Sequence, residues 1–345
     1  MDFASPVDTQ LQRARRHAAA GEWADALLVL REQGEAVARA DPELATIRAE
    51  AELRTGHPRE ARQWLTAVLP SIERSGDRAA LRRAINQLGV AETELGALDD
   101  AERVFGRALE LARSDRDDLL VAHATNNMGA IANIRGRREE ALSLYQLAVP
   151  AYQRLGNAAG LAQSLHNMAL SFRHLGQLER ASEYEQRAMQ YATECANGPL
   201  LALAWRGRAE LSLLSGDAKL AEVGAERAAA QFAKVPDPIR EADALRVVGA
   251  ARLTLGRVAA ARSVLERGLR LAREHGSRLV EGETLRVLAE CFVRLGEREA
   301  ARRELATAIG IFEVLGAEEQ RTEAVHWASV VWRIGSKPND SMTGS

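Results

Sequence analysis

The sequence has little of what redox, metal or membrane proteins require. Its 345 residues include two cysteines, Cys195 and Cys291, in neither a CxxC motif nor a zinc-ligand spacing, which argues against disulfides and structural zinc. No apolar run approaches the ~20 residues that a membrane-spanning helix needs. A net charge of −2 at pH 7 argues against bulk nucleic-acid binding. The N-terminal residues lack the basic-then-apolar pattern of a signal peptide, so we expect a cytoplasmic protein with reduced thiols.

Motifs for catalysis and cofactor binding are also absent. The sequence has no GxxxxGKS/T phosphate loop, no GxGxxG, no HExxH and no GxSxG. Of the seven histidines, His166 and His174 share one helix face but lack cysteine or carboxylate partners at ligand spacing. We therefore predict that the protein is not an enzyme and has neither a cofactor nor a metal site.

What the sequence does have is a repeat of 40 residues. Glycines recur at this spacing, and an alanine follows each glycine five residues later. The glycines are Gly56, Gly96, Gly136, Gly176, Gly216, Gly256 and Gly296, and the alanines are Ala61, Ala101, Ala141, Ala181, Ala221, Ala261 and Ala301. A glycine after an apolar helical run tolerates positive φ and ends a helix. The alanine is small enough to let two helices cross closely.

A second set of breaks falls 20 residues after the first, at Gly76, Gly156, Gly276 and Gly316. Each unit therefore consists of two helices of about 15–17 residues. No strand is predicted. A further small residue lies seven positions before each turn glycine, as at Gly89 and Gly129, which predicts a second close contact between helices.

This pattern resembles the tetratricopeptide repeat family, whose units carry a large residue, Leu-Gly, an aromatic residue, Ala, an aromatic residue and Ala. One unit here reads Leu165, Met168, Ala169, Phe172, Ala181, Tyr184 and Ala188. The period is similar to the 40-residue variant of kinesin light chains, LGN-type adaptors and the sensor regions of some bacterial regulators. The resemblance implies an all-α, right-handed α-solenoid of about eight helix pairs with a C-terminal capping helix. It implies protein binding rather than catalysis.

The repeat divides the chain into a solenoid with short flanking segments. We expect a disordered N-terminus at 1–6, a solenoid over 7–316, a capping helix at 317–335 and a disordered tail at 336–345. Within the solenoid we place repeats near 7–38, 42–75, 79–115, 119–155, 159–195, 199–235, 239–275 and 279–315.

In the family, the first helix of each pair lines a concave wall. The resemblance therefore predicts a partner-binding groove made of Asn86, Asn126, Asn127, Asn133, His166, Asn167, Arg173, His174, Arg206, Arg246 and Arg286. Asparagine amides can satisfy the donors and acceptors of an extended peptide. Arginines can bind carboxylates in a bidentate manner, so acidic groups on the partner are one interpretation. The wall also carries Glu210, Asp243 and Glu283, and their pairing with the arginines is the alternative interpretation.

The sequence thus predicts a non-catalytic adaptor or scaffold that binds a partner peptide or helix in its groove. The alternative is a bacterial regulatory sensor whose solenoid binds a small peptide or ligand and changes conformation. The abundance of alanine and arginine is typical of a GC-rich bacterial source. The pattern indicates neither the partner nor an oligomeric state.

Overall fold

In a computed structural model, which describes residues 6–33 and 35–333, the chain forms α-helices joined by short turns, and the described part contains no strand. The helices are α1 (Pro6–Ala20), α2 (Trp23–Glu32), α3 (Glu35–Ala40), α4 (Pro42–Arg54), α5 (Pro58–Ser75), α6 (Arg78–Glu94), α7 (Leu98–Asp115), α8 (Asp118–Ile134), α9 (Arg138–Arg154), α10 (Ala158–His174), α11 (Leu178–Glu194), α12 (Gly198–Leu214), α13 (Ala218–Lys234), α14 (Pro238–Thr254), α15 (Val258–Glu274), α16 (Arg278–Arg294), α17 (Arg298–Leu315) and α18 (Glu318–Arg333). The predicted all-α solenoid is confirmed.

Local chemistry explains where the helices begin and end. The turn glycines, for example Gly136 with φ +76°, adopt the left-handed conformation that glycine tolerates best. Several first helices begin with an acid or amide that caps them. The side chain of Asp117 accepts a hydrogen bond from the backbone N–H of Leu120 at 3.0 Å, and Asn157 does the same for Gly160 at 2.8 Å. These caps satisfy N–H groups that the helix itself leaves unpaired.

The two helices of a pair meet at small residues. A Cβ atom on Gly129 of α8 would lie 2.5 Å from Cε1 of Tyr145 of α9, so the tyrosine ring rests directly on the glycine backbone. Tyr145 is fully buried. It joins Phe172 and Ala181 in one apolar cluster, which links this pair to the next. Gly89 meets Phe105, one pair earlier, in the same way.

The first predicted repeat, near 7–38, has a different structure. Its second helix, α2, ends at Glu32, and α3 follows as a separate helix of six residues. The sequence has Gly34 between them, and glycine is a poor helix former. The predicted tail at 336–345 lies outside the described residues, as does the predicted N-terminus except for Pro6, which begins α1.

The first helices of the pairs form the inside of the curve. Each contacts the next, α4 with α6, α6 with α8, and likewise through α10, α12, α14 and α16 to α18. At the C-terminal end, α18 packs on α17 and buries Ala324 and Ala328 completely. Such a helix covers the apolar face that the last pair would otherwise expose. None of the described helices is both long and apolar enough to cross a membrane.

Successive turns of the superhelix touch each other. The ring of His275 hydrogen-bonds through Nδ1 to the carbonyl oxygen of Gly56, 219 residues earlier. Glu319 binds the guanidinium of Arg138, 181 residues earlier, and lies 3.3 Å from Nδ1 of His174. Burial, with help from the neighbouring guanidiniums of Arg173 and Arg138, lowers the pKa of His174 to about 3. The imidazole is therefore neutral at pH 7 and donates its Nδ1–H to Glu319.

We expect a Glu319→Lys variant to open the superhelix. The change replaces the counter-ion of Arg138, which is 5% exposed, with a second cation. Losing the partner of a buried charged group costs about 1–3 kcal/mol or more. The radius of gyration measured by small-angle X-ray scattering should increase. Glu318→Lys is the matched control, because Glu318 is exposed and its carboxylate pairs with Arg321 of the same helix at 2.7 Å. Equal scattering curves for Glu319→Lys and the wild type would contradict this prediction.

Candidate functional site

The inner wall contains a cavity of about 440 Å³ between the first helices of the second to fifth pairs. Six side-chain amides line it, and we call it the amide pocket: Asn86, Gln87, Asn126, Asn127, Gln163 and Asn167. They come from α6, α8 and α10, because the 40-residue repeat places the same helix face at the same depth in each pair. The lining is polar without an excess of basic groups, which suits a ligand with both hydrogen-bond donors and acceptors.

The amides bond to one another both between neighbouring helices and within one helix. Asn127 donates from Nδ2 to Oδ1 of Asn86 at 3.2 Å, and Gln163 donates to Oδ1 of Asn167 at 3.3 Å. Oδ1 of Asn126 accepts from the hydroxyl of Ser164 at 2.8 Å. Each primary amide has two N–H donors and one oxygen acceptor, so these bonds leave part of its capacity unused. Asn86 and Asn127 are half-buried, so their unused donors and acceptors are available to a ligand in the pocket.

Asn133 lies behind this wall and does not line the pocket. Its side chain is 2% exposed, and its Oδ1 accepts from Ser171 at 2.9 Å and from Arg138 at 3.0 Å. Its Nδ2 is 3.4 Å from the hydroxyl of Tyr145. The amide that we predicted in the groove therefore holds α8, α9 and α10 together.

The arginines of the later pairs belong to a buried ionic cluster, which we call the ionic wall: Arg173, Arg206, Glu210, Asp243, Arg246 and Glu283. Glu210 binds all three guanidiniums, that of Arg246 at 2.7 Å and that of Arg206 at 3.2 Å. Asp243 lies 2.9 Å from Arg206 and 2.7 Å from Arg246. The ionic wall contains three cations and three anions. The arginines therefore pair with Glu210, Asp243 and Glu283, as in the alternative interpretation of the sequence.

Burial raises the pKa values of these carboxylates, whereas the neighbouring guanidiniums lower them. Burial alone would raise the pKa of Glu210, but Arg173, Arg206 and Arg246 outweigh it and hold that pKa well below its usual range. The pKa of Asp243 is likewise lowered by Arg206 and Arg246 against the effect of burial. For Glu283 burial dominates, and its pKa is raised. Glu283 faces one of these guanidiniums, that of Arg246, at 3.2 Å.

His166 connects Glu185 of α11 to the ionic wall. Its Nδ1 lies 2.8 Å from the carboxylate of Glu185, and its Nε2 lies 3.2 Å from Nη2 of Arg206. Because a guanidinium can only donate, Nε2 accepts and Nδ1 carries the proton. Both ring nitrogens of His166 thus have partners within the protein, and the residue is 5% exposed. Arg286, by contrast, is half-buried and has no hydrogen bond or ion pair among the described residues.

The predicted groove lacks several of the lining residues, and two of them show different reasons for this. Gln163 lies 80 residues after Arg83, so the 40-residue repeat places it among the inward positions, but it is not part of the predicted groove. Arg240 reaches the pocket from α14, on the next turn of the superhelix. The 40-residue repeat does not predict a contact between different turns of the superhelix.

Comparisons with known proteins agree with the repeat. Residues 81–114 and 120–194 each match a model described as tetratricopeptide repeat. No curated protein sequence matches the chain. Among solved structures, a Rap protein complexed with Competence and Sporulation Factor is 15% identical with a TM-score of 0.62, and the match covers 96% of this chain and 99% of that one.

Two further structures share the fold. One is the APC/C hetero-tetramer Cut9-Hcn1, at 16% identity and a TM-score of 0.62, where the match covers 93% of this chain and 56% of the other. The other is a STAND protein with a tetratricopeptide repeat sensor from Pyrococcus horikoshii, at 18% identity and a TM-score of 0.53, covering 80% and 44%. At these identities the likeness concerns the fold alone.

Proposed function

Because this chain is a tetratricopeptide repeat protein, we propose that its amide pocket binds an extended segment of another protein or peptide. The observation that carries the proposal is the row of amides on α6, α8 and α10, which bond to one another between helices and still have unused donors and acceptors. Every residue of an extended segment presents one backbone N–H and one C=O, both of which need partners once they leave water. A ladder of amides supplies both kinds of partner at intervals along a curved wall.

We propose that the role is binding without chemistry, as in an adaptor or scaffold. The pocket contains a hydroxyl at Thr93, but that hydroxyl donates to the carbonyl oxygen of Gly89 at 2.8 Å. The amides that dominate the lining neither ionise nor act as nucleophiles. Both cysteines are free thiols, which fits the cytoplasmic location that we also propose.

A sensor function is the second candidate, and the contacts between superhelical turns favour it. The amide pocket is lined by α6 and α8 and also by Arg240 of α14, so a bound segment would touch two turns at once. Binding would then favour one spacing of the turns over another. Two of the similar structures, a Rap protein in complex with a factor and a protein with a repeat sensor, are consistent with this candidate.

Capture of acidic partner groups, which the arginines of the predicted groove suggest, would require competition with the ionic wall's own carboxylates. Arg206 and Arg246 each already face two or three of them. Arg286 is the guanidinium best placed for such a contact. We therefore propose that the amide pocket, rather than the ionic wall, provides most of the affinity.

Removing two pocket amides should weaken peptide binding about tenfold. We propose the double variant Asn86→Ala, Asn127→Ala, because both side chains are half-buried and face the pocket. A hydrogen bond contributes roughly 0.5–1.5 kcal/mol, and about 1.4 kcal/mol is a factor of ten in affinity. Fluorescence anisotropy with pools of fluorescein-labelled randomised decapeptides would measure the loss.

The control for this experiment is Gln190→Ala, which removes an exposed amide from α11. It should bind every pool as tightly as the wild type does. The proposal fails if no pool binds the wild type, or if the double variant and the control bind alike.

A further inference from the structure

Glu94 is a carboxylate without a partner in the amide pocket. It is the last residue of α6 and is half-buried. Within the described part of the chain, no hydrogen bond or ion pair reaches it, although Arg240 acts on it through space. Burial raises the pKa of Glu94, and nearby Asp237 raises it further, while Arg240 lowers it. An approaching cation stabilises the charged form of a desolvated carboxylate of this kind.

The other charged groups that line the pocket each have a direct partner. Arg54 donates to the carboxylate of Glu50 at 2.9 Å, one turn away on α4. Arg240 binds Asp237, the residue that caps α14. Burial lowers the pKa of His123, so its ring is neutral at physiological pH. Among the described residues, Glu94 is therefore the one charged lining group that has no hydrogen bond or ion pair of its own.

Gln87 gives the pocket an unused acceptor. Its Nε2 donates to the carbonyl oxygen of Thr46 at 3.1 Å and to Glu50 at 2.9 Å, while its Oε1 is buried with no partner among the described residues. The side chain is 5% exposed and lines the pocket. Buried polar atoms in proteins nearly always have partners, and a rotation of this amide toward the pocket would let Oε1 accept from a donor on a bound segment.

Gln87 and Glu94 lie seven residues apart on α6, which is roughly 10 Å along the helix axis. One small group cannot reach both. A peptide backbone held by the amides near Gln87 can do so if it sends a long side chain along α6 toward Glu94. Arginine and lysine have that length and end in donors only.

On the basis of the proposed function, we propose that the amide pocket selects a segment with a basic residue, whose guanidinium or ammonium group pairs with Glu94. The chemistry is opposite to that expected of the arginines in the predicted groove, because Arg173, Arg206 and Arg246 are neutralised within the ionic wall. Arginine is preferred to lysine, since its planar fork can bind a carboxylate through two parallel N–H groups.

The test compares three sets of fluorescein-labelled decapeptide pools, each with one position fixed as arginine, as its neutral analogue citrulline, or as glutamate. The wild type should bind the best arginine pool about tenfold more tightly than the matching citrulline pool. Glu94→Gln should lose that preference while it still binds the citrulline pools. Glu94→Lys should prefer glutamate over arginine.

Glu299→Gln is the control, because Glu299 is an exposed carboxylate of α17 that pairs with Arg302 at 2.7 Å. It should keep the arginine preference. A wild type without that preference, or a Glu94→Gln variant that retains it, would overturn this inference and leave the proposed function standing. If no pool binds the wild type at all, both fall.

Discussion

A Glu210→Ala variant is expected to lose about 3–5 kcal/mol of unfolding free energy, because the substitution removes a carboxylate that three guanidiniums share. Glu210 binds Arg173, Arg206 and Arg246, and it is 8% exposed. Without it, three buried cations share the two remaining anions of the ionic wall. Removing one partner of a buried ion pair is costly because the charge left behind can no longer be solvated by water. Urea unfolding at pH 7 would measure the loss.

Glu226→Ala is the matched control for this variant. Glu226 also pairs with an arginine, Arg252, at 2.7 Å, but its side chain is 48% exposed. An exposed ion pair contributes about 0–1 kcal/mol, because water solvates both charges when the pair is broken. Similar losses in Glu210→Ala and Glu226→Ala would show that the ionic wall is not desolvated in solution.

The pH dependence of the Glu210 contribution has a definite sign. Since the guanidiniums hold its folded pKa below its unfolded value of about 4.3, the carboxylate stabilises the fold above that value. The stabilisation is lost as the pH falls through the folded pKa. The difference between wild type and Glu210→Ala should therefore be constant from neutral pH down to about 4.3 and shrink only below it. A difference that already disappears at higher pH would contradict the assigned pairing.

A Gly129→Ala variant should be destabilised by about 1–3 kcal/mol, although alanine is the better helix former. The added Cβ would lie 2.5 Å from Cε1 and 2.9 Å from Cδ1 of Tyr145. That ring is fully buried, so it cannot move aside without disturbing α9 and the core around it. Overpacking should therefore outweigh the helix-propensity gain of about 1 kcal/mol. Thermal and urea unfolding would measure the net effect.

Gly106→Ala makes the same chemical change where there is room for it. Gly106 lies inside α7, and a Cβ there would meet nothing within 4 Å. This variant should gain up to about 1 kcal/mol from helix propensity. The prediction requires opposite signs for the two variants; a shift in the same direction for both would refute the role of Gly129 as a contact point.

Features that depend on neighbouring residues could be read from the sequence. The turn at Gly136, the contact of Gly129 with the following helix and the side chains that share a wall all follow from local helix geometry and the 40-residue period. The hydrogen bond from Asn127 to Asn86 and that from Arg206 to His166 show that side chains about 40 residues apart lie next to each other on neighbouring first helices. The binding role of these residues stays a prediction.

The sequence did not predict which side chains of the inner wall form ion pairs and hydrogen bonds with each other. The inward columns predict that Arg206, Arg246 and Glu210 lie close together, but they do not predict which charges pair or how far they are desolvated. Asn133 shows the same limit, because its place on α8 suits the groove while its amide is taken up by Ser171 and Arg138. Side-chain orientation and burial depend on the packing of three helices at once.

Only the tertiary structure brought together residues from different turns of the superhelix. Arg240 enters the amide pocket near Glu94, and Glu319 binds Arg138, 181 residues earlier. The sequence by itself determined the helix pairs, their period and the face of each helix that turns inward, since these are set by contacts within a pair or between adjacent pairs. The closeness of the superhelical turns results from small rotations between pairs that accumulate along the solenoid, and no local pattern of residues encodes their sum.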